Sequence, residues 1–163
     1  MDHIISALIH ASRTGDLLLL QEIIDLNTNL ELRDDKGYTP LIIACYNHQT
    51  EAARLLLRSG ADVNGIDTGG NTALMGVCFK GYADIAELLI AHQANVNLLN
   101  GNGGTALMFA VMFGRNELIA LLLQHGADLT IKDNRGMDVL DIAVQQGNEQ
   151  GLQLLKQHQP INQ

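Results

Sequence analysis

The segments Gly37-Tyr38-Thr39-Pro40-Leu41, Gly70-Asn71-Thr72-Ala73-Leu74, Gly103-Gly104-Thr105-Ala106-Leu107 and Gly136-Met137-Asp138-Val139-Leu140 align without a gap, each 33 residues after the last. A fixed period of this length constrains the fold more than any compositional number. One such unit cannot bury its own apolar face, so successive units must stack and bury it for each other. The product of stacking is a surface rather than a closed active-site cleft, and function is to be sought there.

Within each unit the signals are helical. Stepping back 33 from Thr39, Leu41 and Ala44 reaches Ser6, Leu8 and Ala11, so a further N-terminal copy lacks only its opening turn. Ser6, Thr39, Thr72, Thr105 and Asp138 all carry a side-chain oxygen able to accept from the free amides of a first helical turn, and they read as N-caps. Pro40 follows Thr39 at the first helical position, where a missing amide costs nothing. Gly15, Gly81, Gly114 and Gly147 end this short helix at one position. A second apolar helix follows, carrying Leu55-Leu56-Leu57, Leu88-Leu89-Ile90 or Leu121-Leu122-Leu123, and Gly60 and Gly126 stop it as left-handed caps. His48 and Gln93 stand at glycine positions, where left-handed backbone costs a residue with a Cβ roughly 1 kcal/mol.

Thr39-Pro40-Leu41-Ile42-Ile43-Ala44 and Leu56-Leu57-Arg58-Ser59-Gly60-Ala61-Asp62-Val63-Asn64 resemble the ankyrin repeat. Leu89-Ile90-Ala91-His92-Gln93-Ala94-Asn95-Val96-Asn97 and Leu122-Leu123-Gln124-His125-Gly126-Ala127-Asp128-Leu129-Thr130 match its second half, and the likeness runs from about residue 2 to 159. The expected fold is all-α, an ankyrin-repeat solenoid of helix-turn-helix units with projecting β-turns. It would form one domain over 1–163, with units near 2–33, 34–66, 67–99, 100–132 and 133–159. The resemblance implies protein binding through a concave face, without catalysis. Short arrays of this kind resemble bacterial stand-alone ankyrin proteins. The histidine of the family's Thr-Pro-Leu-His is replaced by Ile42, Met75, Met108 and Asp141, which turns a polar link between units into apolar packing in all but the last.

Charge and cysteine usage narrow the function. A net charge of −8 and a pI near 5.0 argue against a nucleic-acid surface, where affinity comes largely from neutralising phosphates. No basic segment leads into a long apolar run at the N-terminus, and no stretch approaches the roughly 20 apolar residues that span a bilayer. A cytoplasmic monomer with no membrane contact and no cofactor is expected. Cys45 and Cys78 lie 33 residues apart, hence at one place in adjacent units. Packed helices are about 8–10 Å apart, while disulfide Cα atoms lie within about 7 Å. Two reduced thiols follow, and the resemblance, which usually places alanine there, implies that both are buried as small hydrophobes.

Two patterns that mimic chemistry have structural explanations. His92, His125 and His158 also repeat at 33, but ligands of one zinc must lie about 2 Å from a common point, and these are a unit apart. They are expected near the free carbonyls of helix C-termini, and no metal site is assigned. Gly101-Asn102-Gly103-Gly104 lacks the Lys-Ser or Lys-Thr pair of a phosphate loop; its glycines are expected at positive φ in a turn. No nucleophile has a base and orienting group placed by this rhythm, so no catalytic residue is assigned.

The candidate partner-binding residues are Lys36, Tyr38, Tyr46, Asn71, Phe79, Lys80, Asn102, Met112, Phe113 and Arg135, on the turn tips and first helices that form the family's binding surface. Met137, Ile66 and Leu99 flank them. Tyr38, Tyr46, Phe79 and Phe113 are four of the six Phe and Tyr in the chain, and large apolar groups on a solvent face characterise interface hot spots. Arg13, Arg33, Lys36, Lys80, Lys132 and Arg135 occupy variable positions there, against Asp2 and Asp35 among the acids. Asp34, Asp62, Asp67 and Asp128 match framework positions that tie turns together. A protein partner offering apolar or aromatic groups together with carboxylates is therefore expected. Two alternatives remain, a regulatory or inhibitory subunit of an enzyme or toxin, and a host-directed secreted effector.

Both ends differ from the middle. Asp141, Gly151 and Lys156 stand where the preceding unit has Met108, Leu118 and Leu123, which suits a face meeting water and suggests a complete array. Leu17 and Leu18 replace the pairs Thr50-Glu51, Ala83-Asp84 and Asn116-Glu117, forming either a second sticky patch or a surface covered by the N-terminal residues.

Overall fold

The computed structural model describes residues 2–160, with only the backbone at residue 2. Among the described residues ten helices form five consecutive pairs: α1 (Asp2–Thr14) with α2 (Leu17–Asp25), α3 (Pro40–Tyr46) with α4 (Thr50–Arg58), α5 (Ala73–Lys80) with α6 (Ala83–Ala91), α7 (Ala106–Met112) with α8 (Asn116–Gln124), and α9 (Val139–Gln146) with α10 (Glu149–Gln157). First helices pack in the order α1, α3, α5, α7, α9 and second helices in the order α2, α4, α6, α8, α10. Among the described residues the sole β-pairing is the bridge Ile66 to Thr72. The fold is an all-α repeat solenoid.

Caps follow the repeat with one exception. Thr39, Thr72, Thr105 and Asp138 have extended backbone and accept from the amides of Ile42, Met75, Met108 and Asp141. Ser6 does not cap: with no opening turn before it, α1 continues to Asp2 and carries Ser6 inside the helix on its exposed side. Asp16 instead caps α2, accepting from the Leu19 amide. The core is one continuous column, in which Leu8, Leu41, Leu74 and Leu107 repeat at 33 and are 0–2% exposed. Ile42, Met75 and Met108 are buried between units, in keeping with apolar packing where the family places histidine.

The turns are held by the carboxylates and amides at their start. Oδ1 of Asp34, Asp67, Asn100 and Asp133 accepts from the amides two and four residues on, at 2.8–3.1 Å. Gly37, Gly70, Gly103 and Gly136 supply the positive φ that these turns need. Gly101 and Gly104 do not adopt positive φ; an added Cβ on Gly101 would press on the Gly69 carbonyl at 3.0 Å, so its role is close approach of adjacent turns. The Gly101 amide donates to that carbonyl at 2.8 Å. A second zip joins units farther out, where Glu31, Asn64 and Asn97 accept from the amides of Asp62, Asn95 and Asp128 at 2.8–2.9 Å.

The ends show two departures. Asp141 and Lys156 are exposed, but Gly151 is buried beneath the Asn148 side chain, which caps α10 by accepting from the Gly151 amide. Leu17 is 41% and Leu18 81% exposed; the N-terminal residues that are described do not cover them.

Candidate protein-binding groove

First helices and turns line one face of the stack, and every candidate residue falls on it. Tyr46, Phe79 and Met112 recur at 33 near the ends of α3, α5 and α7, with Phe113 one residue beyond. The Tyr46 and Phe79 rings are parallel with centroids 6.1 Å apart, and Phe79 meets Phe113 edge-on at 4.7 Å. Both arrangements suit the ring quadrupoles. Lys80 Nζ lies 4.6 Å above the Tyr46 ring, a cation–π contact. The result is a ladder of rings crossing three units, with Tyr46 42% and Phe113 41% exposed and Phe79 half-buried between them. Tyr38, Ile66 and Leu99 are exposed on the turns, whereas Met112 and Met137 are half-buried.

Two cavities open on this face. One of about 460 Å³ lies between α3, α5 and their turns, over Gly76. The other, about 340 Å³, is bounded by Met108, Met112, Asn102, Arg135 and Ile142. Phe109 lines both. It is half-buried at the position equivalent to Ile43 and Ile142, and its place in the 33-residue register was the signal that could have found it.

The polar candidates differ in what they leave free. Lys36 is exposed. Asn71 donates to Asp67 at 3.2 Å and accepts from Asn100 at 2.9 Å, so its amide is committed to the turn framework. Asn102 is exposed, and its carbonyl accepts from the Asn134 amide at 3.0 Å. Arg135 pairs with Asp133 at 2.8 Å while remaining 54% exposed. Burial pushes the Asp133 carboxyl up, but bonds from Arg135 and from the Met137 and Arg135 amides outweigh it and hold the group below its usual value. Arg33 is less available than its variable position suggests, since its guanidinium donates to the Gly37 and Ile66 carbonyls. Arg13 lies 3.9 Å from Asp34. The side chain of Asp2 lies outside the described residues.

The other flagged groups are structural. Cys45 and Cys78 are free thiols, 1% and 0% exposed. Burial pushes the Cys78 thiol up to about 12 and Cys45 higher still, so neither supplies thiolate at neutral pH. His92, His125 and His158 each form a helix C-cap, and the Nδ1 atoms of His92 and His158 lie 3.0 Å from the Leu88 and Leu154 carbonyls.

The family model for ankyrin repeats, in its three-copy form, matches residues 8–100 and again 74–163. The chain belongs to the ankyrin-repeat family, whose members are generally protein–protein interaction modules and typically non-catalytic. A search of curated proteins finds no match. Among the described residues no helix is long and apolar enough to cross a membrane.

Proposed function

We propose that this protein is a non-enzymatic binding module, a single domain of five units bordered near residues 33, 66, 99 and 132. It holds a protein partner against the groove formed by its first helices and turns. The observation carrying this reading is the ladder of exposed Tyr46, half-buried Phe79 and exposed Phe113, with Lys80 laid over its first ring. Aromatic side chains left at a surface beside cations are the composition of interface hot spots. Lys36, Tyr38, Met112 and Arg135 extend the contact to either side, and Asn71 and Asn102 contribute through their turns. The partner presents apolar or aromatic anchors with carboxylates, and the module acts as a monomer in the cytoplasm.

Affinity capture from the native organism tests this when wild type and a Phe79→Ala/Phe113→Ala variant are compared by quantitative mass spectrometry. Proteins held by wild type and lost by the variant are the expected result. Identical captured sets would refute the reading.

A further inference from the structure

Asparagine followed by glycine occurs at Asn64-Gly65, Asn100-Gly101 and Asn102-Gly103. The pair is chemically labile. Glycine has no Cβ to screen its backbone nitrogen or to restrict its dihedrals, so that nitrogen can approach the side-chain carbonyl carbon of the asparagine before it. The fold treats the three pairs differently.

Asn100 is held at both ends of its carboxamide. Its Oδ1 accepts from the Asn102 and Gly104 amides at 3.0 and 2.8 Å, and its Nδ2 donates to Asn71 Oδ1 at 2.9 Å. Asn64 Oδ1 accepts from the Asn95 amide of the next unit at 2.8 Å. Both residues are half-buried. Asn102 is exposed, and its side chain makes no hydrogen bond among the described residues. The three glycine nitrogens also differ. Gly65 donates to the Asp62 carbonyl at 3.1 Å and Gly103 to the Asn100 carbonyl at 3.0 Å, each within a single turn, whereas Gly101 donates across to the Gly69 carbonyl of the neighbouring turn at 2.8 Å. Releasing Gly101 therefore parts two units, while releasing Gly103 opens only its own turn.

We infer that Asn102 is a self-modification site: the Gly103 nitrogen attacks its exposed carboxamide, and the turn before α7 passes with time from an asparaginyl to an aspartyl or isoaspartyl form. The Gly103 amide gives its proton to hydroxide and its nitrogen bonds to Asn102 Cγ. The Cγ–Nδ2 bond breaks, and Nδ2 leaves as ammonia with a proton from water, which leaves a cyclic imide. A second water opens the ring. Attack at Cγ breaks the new bond and yields aspartate; attack at the main-chain carbonyl carbon breaks the original peptide bond and yields isoaspartate, with the chain now running through Cγ. Water is the only co-reactant, and nothing is oxidised or reduced.

The consequence is local. Asn102 borders the 340 Å³ cavity together with Asp133 and Arg135, and conversion adds a carboxylate to that wall. The isoaspartyl form also lengthens the main chain where the Asn102 carbonyl accepts from the Asn134 amide at 3.0 Å, and so loosens a bond between adjacent turns. Neither effect depends on which partner the groove holds.

The full wild-type chain is aged at mildly alkaline pH, native and in urea, in water labelled with oxygen-18. It is then digested with pepsin in acid and mapped by mass spectrometry, with fragmentation that separates aspartate from isoaspartate; the label marks conversion that took place during ageing. In the native chain Asn102 should convert about tenfold or more faster than Asn64 and Asn100, the factor that one or two hydrogen bonds put on a rate. The rate should rise with pH, and isoaspartate should be among the products. In urea the three rates should come together. Amide exchange at Asn134 should be faster in the aged native chain than in Asn102→Asp, which adds the carboxylate without lengthening the chain. Native conversion at Asn64 or Asn100 that keeps pace with Asn102, an equal gap in urea, or no conversion at Asn102 overturns the site. Exchange at Asn134 that matches the Asn102→Asp variant overturns the loosening of the turns.

Discussion

His48 and Gln93 hold left-handed backbone, at φ 56° and 68°, in positions where other units use glycine, yet they differ in what offsets the strain. His48 stacks on Tyr82 with centroids 4.0 Å apart, and its Nε2 lies 3.0 Å from both Asp84 carboxylate oxygens. Gln93 is exposed, and its side chain makes no hydrogen bond among the described residues. Gln93→Gly should therefore stabilise the protein by about 1 kcal/mol, raising the melting temperature by roughly 2–4 °C, and His48→Gly should gain less; calorimetry of both variants checks the order. Asp84 gives a second residue-scale prediction. Burial pushes its carboxyl up, but hydrogen bonds from His48, Thr50 and the Ile85 amide outweigh this and hold it below the ordinary 3.8. A depressed folded pKa contributes stability above the unfolded value and loses it as pH falls through the folded one. Asp84→Asn should thus be less stable than wild type at neutral pH, with the gap closing below about pH 4 in melts across acid pH. The gap should be small, because the side chain is 53% exposed. The left-handed residues were legible because a glycine register exposes its exceptions; the Tyr82 and Asp84 contacts were not, since they join residues 34 and 36 apart across two units.

At the scale of elements, the units are joined by more than apolar packing. Asn97 Oδ1 accepts from the Asp128 amide at 2.8 Å and its Nδ2 donates to the Gly126 carbonyl at 3.0 Å. Asn97→Ala removes both bonds, and the expected loss is about 1–2 kcal/mol. Amide exchange should rise at Asp128 more than in the α8 interior; equal change at both would mean that the bonds do not set local opening. Helix order, N-caps and turn carboxylates were readable because each rests on a residue type repeated at a fixed interval. Ser6 misled for a physical reason: a capping side chain works only where the chain turns into a helix, and α1 has already begun at Asp2. Arg33 misled similarly, because a position free to vary in sequence still let its guanidinium bridge two turns. Phe109 was missed because it stands one turn before the exposed aromatics and is only half-buried.

For the whole molecule, stability is approximately a sum of unit and neighbour-interface terms, so an end cannot be removed without exposing the face it covers. Deleting residues from Asn134 onward takes away α9 and α10, which cover α7 and α8. Met108, Leu118 and Leu123, 3%, 1% and 9% exposed in the full chain, would then face water. Aggregation and a lower melting temperature are expected by light scattering and circular dichroism; a soluble monomer with unchanged melting would show that the last pair protects nothing. The stacking was legible from one number, the period, whereas the cavities depend on which side chains meet across units and are invisible until Gly76, Tyr46 and Phe109 are seen together. The central claim, that binding lies on the groove rather than on the second helices, is tested most directly by surface plasmon resonance against a captured partner. Phe79→Ala should weaken affinity by about 2 kcal/mol or more, mostly through faster dissociation, while Glu87→Ala and Glu117→Ala, exposed on α6 and α8, should leave it unchanged. Loss of binding in the two glutamate variants with full affinity in Phe79→Ala would contradict the account and move the function to the outer helices.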